Sequence, residues 1–301
     1  MSKAHHPTQL LLKDLIALKH EAQIFMLPQT GKKAEMGFGS TYSPFKSHGL
    51  DFQEVRVYQP GDDIRQIDWH VTAKYGKPFT KLYTEEKERT IFFVVDLREN
   101  MHFATHGDFK HVIAARLATF MAFIAEHQHD KIGYLILTEN GLVSSGDLHE
   151  ADLVTPFLNA LTNPKAMGKD PSFSMALRQL NALLPTGSFL FIFSDFCDWT
   201  ADTASSLAPL TEKSTVLLVS IYDMLESILP NDSLPFSNGH DNLVIPANND
   251  KMRQKYHEEW LQKMSLLEAE AQKYGWGFLS IKTDEDYIKK LSHFCFQGVI
   301  S

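Results

Sequence analysis

From residue 89 onward, short apolar runs alternate with longer stretches of helical spacing. RTIFFVVDLREN carries a continuous run, Ile91 to Val95, that ends in Asp96; a short β-branched and aromatic run of this kind predicts a strand buried on both faces. FKHVIAARLATFMAFIAEHQ is apolar on several faces and predicts a substantially buried helix. DKIGYLILTENGLVSSG predicts a hairpin turning at Glu139-Asn140-Gly141. HEADLVTPFLNALT and SFSMALRQLNALLP predict two further helices, the second stopped by Pro185. GSFLFIFSDF is a second buried strand and again ends in an acid, Asp195. DTASSLAPLTE predicts a helix and STVLLVSIYD a third buried strand. Pro230 to Asn249 is rich in turn residues and predicts a loop. A long helix then ends at Gly275, followed by the strand WGFLSIK and the helix DEDYIKKLSHF.

Before residue 89 the pattern is weaker. Residues 8–26 place Leu10, Leu11, Leu15, Ile16, Leu18 and Ile24 mostly at helical spacing, with Thr8 as a cap. GKKAEMGFGSTYSPFKSHG has loop composition. DFQEVRVY, residues 51–58, alternates as a strand does, with Phe52 out of phase with Val55 and Val57. The organisation expected is an N-terminal segment, 1–88, and an α/β domain, 89–301. In that domain a mostly parallel open sheet carries helices on both faces.

Composition changes this picture little. The chain has 301 residues, 44% hydrophobic and 22% charged, as in a globular protein with a proper core. A net charge of −8 argues against a general nucleic-acid coat. Cys197 and Cys295 give no disulfide framework, and no run reaches the roughly 18–20 apolar residues of a membrane span. The expectation is a soluble, cytoplasmic protein. There is no GxxxxGK[ST], GxGxxG, HExxH or CxxC.

Candidate chemistry lies in two places. Asp96 and Asp195 each end an apolar strand, and ligands of open α/β sheets sit beyond such ends. Either the two carboxylates converge on a crevice or each caps its own helix. The other place is YQPGDDIRQIDWH, with Asp62, Asp63 and Asp68 around Arg65. Arg56, Lys74, Lys77 and Lys81 are near in sequence, so cations to neutralise the acids are at hand. A short helix from Asp63 would turn Ile64 and Ile67 inward with Trp69 nearby. The cluster reads as a salt-bridged corner that specifies geometry. No nucleophile–base set is recoverable; His102 and His106 near Asp96 read as loop residues.

The order of these elements resembles a von Willebrand factor A domain, whose metal-ion-dependent adhesion site uses D-x-S-x-S, a Thr further on and a later Asp. Here D-L-R-E-N runs from Asp96 to Asn100, Ser172 lies near the Thr position, and Asp195 is the later Asp. Arg98 and Asn100 stand where the two Ser residues belong, so the resemblance implies a degenerate site for Mg2+ or Mn2+, with no cofactor required. GLDFQEVRVYQPGDDIRQIDWHVTAKYGKPFTKLYTEE resembles the signature of the domain of unknown function 58 family, which precedes an A-like domain in those proteins. VVDLRENM, FSDF and YDMLESILP follow in the family's order. The chain is similar to the short, soluble branch. Membership implies association with MoxR-type AAA+ ATPases and no established reaction. The function expected is a non-enzymatic adaptor. The rivals are a divalent-metal hydrolase using Asp96 and Asp195, and nucleic-acid binding through Arg65, Lys74, Lys77 and Lys81.

Overall fold

The computed structural model describes residues 5–25, 51–59, 62, 64–84, 89–145, 153–166, 171–231, 234–237, 242–245 and 249–296. The chain divides into two compact units. The larger holds the described residues of Met1–Leu27 and Thr90–Ser301, the smaller those of Tyr42–Arg89.

Two short helices open the larger unit, α1 (Leu12–Ile16) and α2 (Lys19–Ala22), where the spacing predicts one helix over 8–26. Leu15, Leu18 and Ala22 are nearly inaccessible and belong to the larger unit's core, so the N-terminal helical segment goes with residues 90–296 rather than with the signature. The break after Ile16 divides a stretch whose apolar positions do not hold one face throughout.

The smaller unit pairs β1 (Asp51–Val57) with β2 (Phe79–Thr84) antiparallel. The register shifts between Phe52 and Glu54, which accounts for the phase slip in DFQEVRVY: a bulge puts an extra residue into one strand. Between the strands lie a 3-10 turn, Ile64–Gln66, and α3 (Trp69–Tyr75). Asp68 caps α3 by accepting from His70 N and Val71 N, and Gly76 ends it in the left-handed region.

The larger unit is built on a six-stranded sheet in the order β10-β7-β6-β3-β4-β5. The strands are β3 (Thr90–Asp96), β4 (Lys131–Thr138), β5 (Gly141–Ser144), β6 (Ser188–Ser194), β7 (Ser214–Tyr222) and β10 (Gly277–Lys282). All pairings are parallel except β4 with β5, the predicted hairpin. The helices are α4 (Lys110–His127), α5 (Val154–Thr162), α6 (Phe173–Leu183), α7 (Ala201–Leu207), α8 (Met224–Ser227), α9 (Asp250–Tyr274) and α10 (Tyr287–Phe296). A two-stranded ladder, β8 (Leu234–Ser237) with β9 (Asn242–Ile245), occupies part of the predicted 230–249 loop.

Alternation along the strands feeds two cores. Ile91, Phe93, Val95, Phe191 and Phe193 pack with α4, α5 and α10 on one face. Phe92, Val94, Leu190 and Ile192 pack with α6, α7 and the end of α9 on the other. Each such side chain contributes about 1.5–3 kcal/mol by leaving water. The continuous apolar runs follow from this, because neither face of the sheet is wet.

Candidate functional site

Strand order fixes where the acids meet. The chain runs from β3 outward to β4, then returns to β6 on the other side of β3. The crevice between the carboxyl ends of β3 and β6 is therefore the switch point, where open α/β sheets bind ligands. Asp96 ends β3, Asp195 follows β6 and Asp223 follows β7, so three buried acids line one edge.

Two buried cations fill this crevice. Arg98, 7% exposed, wraps back on Asp96: its Nε donates to Oδ1 at 2.9 Å and its Nη2 to Oδ2 at 2.8 Å. The same guanidinium reaches Asp198 at 2.8 Å, and it lies over the ring of Phe173. Ser194 Oγ donates to Asp96 Oδ2 at 2.7 Å, which completes the carboxylate's shell. Lys110, 1% exposed, opens α4 and points its ammonium at Asp195 Oδ2, 2.6 Å away, and at Glu226 Oε1, 2.5 Å away. Asn100 Nδ2 donates to Asp195 Oδ1 at 2.9 Å. Cys197 N donates to that same oxygen.

The electrostatics follow from these partners. Burial opposes the charge on Arg98, but its bonds to Asp96 and Asp198 outweigh that and raise its pKa above the ordinary arginine value. Burial pushes the Asp195 carboxyl up, and Lys110 more than reverses this, holding it below the usual carboxylate range. Burial likewise opposes the Lys110 charge, while Asp195 and Glu226 raise its pKa. Cys197 is exposed as a residue, but desolvation of its sulfur and the neighbouring carboxylates of Asp195 and Asp198 push its thiol up to about 12. This is the wrong direction for a nucleophilic thiolate.

The residues expected around a divalent ion are divided among other tasks. Ser172 caps α6 by accepting from Met175 N, so its hydroxyl serves its own helix and not the crevice. The amide nitrogen of Asn100 holds Asp195. Asp96 is ion-paired with Arg98, and Asp195 with Lys110. Asp96, Asn100, Ser172 and Asp195 are thus each engaged with protein partners in this structure. Among the described residues no group of three His, Cys, Asp or Glu side chains is placed to hold a metal.

The second cluster forms part of the expected corner. Arg56 Nη2 donates to Asp62 Oδ1 at 2.6 Å, and Gln59 N donates to Asp62 Oδ2. Asp68 is the cap of α3. Ile64 and Trp69, expected to pack inward or near, are 65% and 67% exposed. The short element there is a 3-10 turn that does not bury Ile64. Asp63 and the side chain of Lys81 lie outside the described residues. Arg65, Lys74 and Lys77 are exposed.

A family model described as "Protein of unknown function DUF58" matches residues 54–265, which take in the corner and the whole strand-end edge as far as α9. The chain belongs to the DUF58 family. Uncharacterized proteins of Mycobacterium bovis and Mycobacterium tuberculosis are each 30% identical over 133 residues, 44% of this chain and 42% of theirs. The chain thus spans under half the length of these curated relatives. Among solved structures, the conserved hypothetical protein BatB from Bacteroides thetaiotaomicron aligns at 11% identity and a TM-score of 0.42, covering 69% of this chain and 98% of that one. An uncharacterized membrane spanning protein from Vibrio fischeri aligns at 12% identity and 0.22, covering 66% and 93%. Such low scores do not establish a shared fold. In this DUF58 chain no helix among the described residues is long and apolar enough to cross a membrane.

Sequence reasoning picked out Asp96, Asp195, Asn100 and Arg98 but missed Lys110, Asp198, Glu226 and Asp223. A signal for Lys110 existed. A lysine at the start of a substantially buried helix must be paired if it is buried too. Asp223 is likewise an acid closing an apolar strand. Its carboxylate accepts from Thr105 N, Thr105 Oγ1 and Thr283 Oγ1, and so ties three loops of this edge together.

Proposed function

We propose that this DUF58 protein is a non-enzymatic interaction module, an adaptor for a MoxR-type AAA+ ATPase in the remodelling or maturation of protein complexes. The observation that carries the proposal is the built-in neutralisation of the strand-end crevice by Arg98 and Lys110. A carboxylate held below its ordinary pKa by a lysine is a weak base, and the acceptor sites of Asp96 are already taken by the Arg98 guanidinium, Arg98 N and Ser194 Oγ. What remains is a rigid edge that presents loops, and loops on a rigid sheet make good contact platforms. The von Willebrand A-like assignment, with a degenerate adhesion site, rests on the order of strands, acids and helices. The ATPase as partner rests on the family resemblance. Arg98 and Lys110 are, in this view, permanent substitutes for the ion that such a site would bind.

The test is affinity capture of the tagged full chain from native lysate of its own source. The expected result is co-purification of an AAA+ ATPase. Glu99 is exposed next to Arg98, and Glu99→Arg should abolish capture without changing the melting curve. Capture without any AAA+ ATPase would sink the proposal. So would metal-dependent turnover of phosphate esters by the purified protein that disappears in Asp195→Ala.

A further inference from the structure

A cleft of about 290 Å3 lies between β7 and α9, beside the crevice described above. It falls at the lower limit of ligand pockets, which run from about 300 to 1,000 Å3, so it suits a small molecule rather than a nucleotide. One face of α9 forms a wall: Tyr256, Glu259, Trp260, Lys263 and Met264 recur at helical spacing. Ser220 of β7 also lines the cleft. It is 1% exposed, and its Oγ has no hydrogen-bond partner. An unsatisfied buried hydroxyl is costly to the fold, so a group that meets it here gains what the fold leaves unmade.

The charges on the walls select the group. A simple anion entering the cleft meets Asp195, Glu226 and Glu259. A simple cation meets Lys263, with Lys110 behind Asp195 and Glu226. A ligand with both charges meets neither objection. Lys263 donates to Asp195 O at 3.3 Å and, as an ammonium with three donors, has others to give. The ion partner of Glu259 is Lys255, at 3.7 Å on the solvent side. Trp260 packs against Tyr222, ring centres 5.1 Å apart, and stacks on His257, so the cleft wall carries an aromatic cluster that suits an apolar side chain. We infer that this cleft binds a small zwitterion of the amino-acid class, with its carboxylate on Lys263 and Ser220, its ammonium on Glu259 and its apolar side chain against the Trp260 cluster.

Calorimetric titration of the full chain tests this, with L-phenylalanine and L-leucine as probes. Phenethylamine and phenylpropanoate serve as analogues lacking one charge each. At least one amino acid should bind at millimolar concentration or tighter and change the Trp260 fluorescence. Each single-charge analogue should bind about tenfold more weakly or worse. Ser220→Ala and Glu259→Gln should each weaken amino-acid binding; Glu259 is exposed, so its variant keeps the fold. No binding by either amino acid would overturn the inference. Equal binding by phenethylamine or phenylpropanoate would overturn the zwitterion, and unchanged affinity in both variants would overturn the site. None of these results bears on the adaptor role, whose readout is ATPase capture.

Discussion

At the scale of the residue, Arg98 carries the most consequence. It stands two positions after Asp96, and its planar fork binds both oxygens of that carboxylate while the far edge holds Asp198. Sequence could show that Arg98 cannot be a metal ligand. Its second partner could not be read, because Asp198 is a hundred residues away and reaches Arg98 only once β3 and β6 pair. Arg98→Ser would leave Asp96 buried without its cation, which costs about 3–5 kcal/mol in comparable pairs. The space left would be faced by Asp96, Asp198 and the hydroxyl of Ser194, all hard oxygen donors. Thermal melts should therefore show a large loss of stability in Arg98→Ser that millimolar Mg2+ or Mn2+ partly restores. The wild type should show no specific binding of either ion at micromolar concentration in calorimetry. An Arg98→Ser variant that melts like the wild type, with or without metal, would refute the account of Arg98 as a built-in cation.

At the scale of the element, legibility followed burial. β3, β6 and β7 were readable because strands buried on both faces show uninterrupted apolar runs. The turn at Asn140-Gly141 and the stop at Gly275 were readable because glycine has a local backbone role there. The break between α1 and α2 was not, since it depends on where Leu15 and Leu18 dock. β8 and β9 were hidden by their turn-rich composition. Two glycines give a comparison of local with tertiary cost. Gly76, at φ 68°, caps α3 with nothing within 4 Å of where a Cβ would be. Gly107, at φ 77°, would place its Cβ 2.7 Å from Thr283 O. Gly76→Ala should cost only the left-handed penalty, about 1–2 kcal/mol. Gly107→Ala adds a clash with backbone that cannot rotate away, in the same edge that Asp223 ties to Thr105 and Thr283. Chemical denaturation should show the second variant as the clearly less stable. Equal losses would mean that the loop around Gly107 yields without cost.

At the scale of the whole molecule, fold class was legible because the βα alternation is a property of the pattern. The ionic interior was not, because its partners come from separate elements: Lys110 on α4, Asp195 after β6, Glu226 on α8. That interior makes stability a function of pH in three separate windows. The first belongs to His111, 6% exposed and stacked on His102 with ring centres 4.1 Å apart. Burial first, and His102 second, push its pKa from 6.5 down to about 4. A depressed pKa means that the unfolded chain binds the proton first. Stability is thus intact above 6.5, falls with a slope near one proton between 6.5 and about 4, and loses roughly 3 kcal/mol across that span. The second window belongs to Asp195 and Asp223, both held below the ordinary 3.8. Their contribution is present above 3.8 and is lost as pH falls through the lower folded values. The third belongs to Lys110, whose raised pKa keeps its contribution whole below 10.5 and loses it as pH climbs through the folded value. Circular-dichroism melts from neutral to acid pH separate the first window from the second. His111→Phe should flatten the decline between 6.5 and 4 and leave the steeper fall below it, whereas a decline that survives this substitution would place the mildly acidic titration on another group.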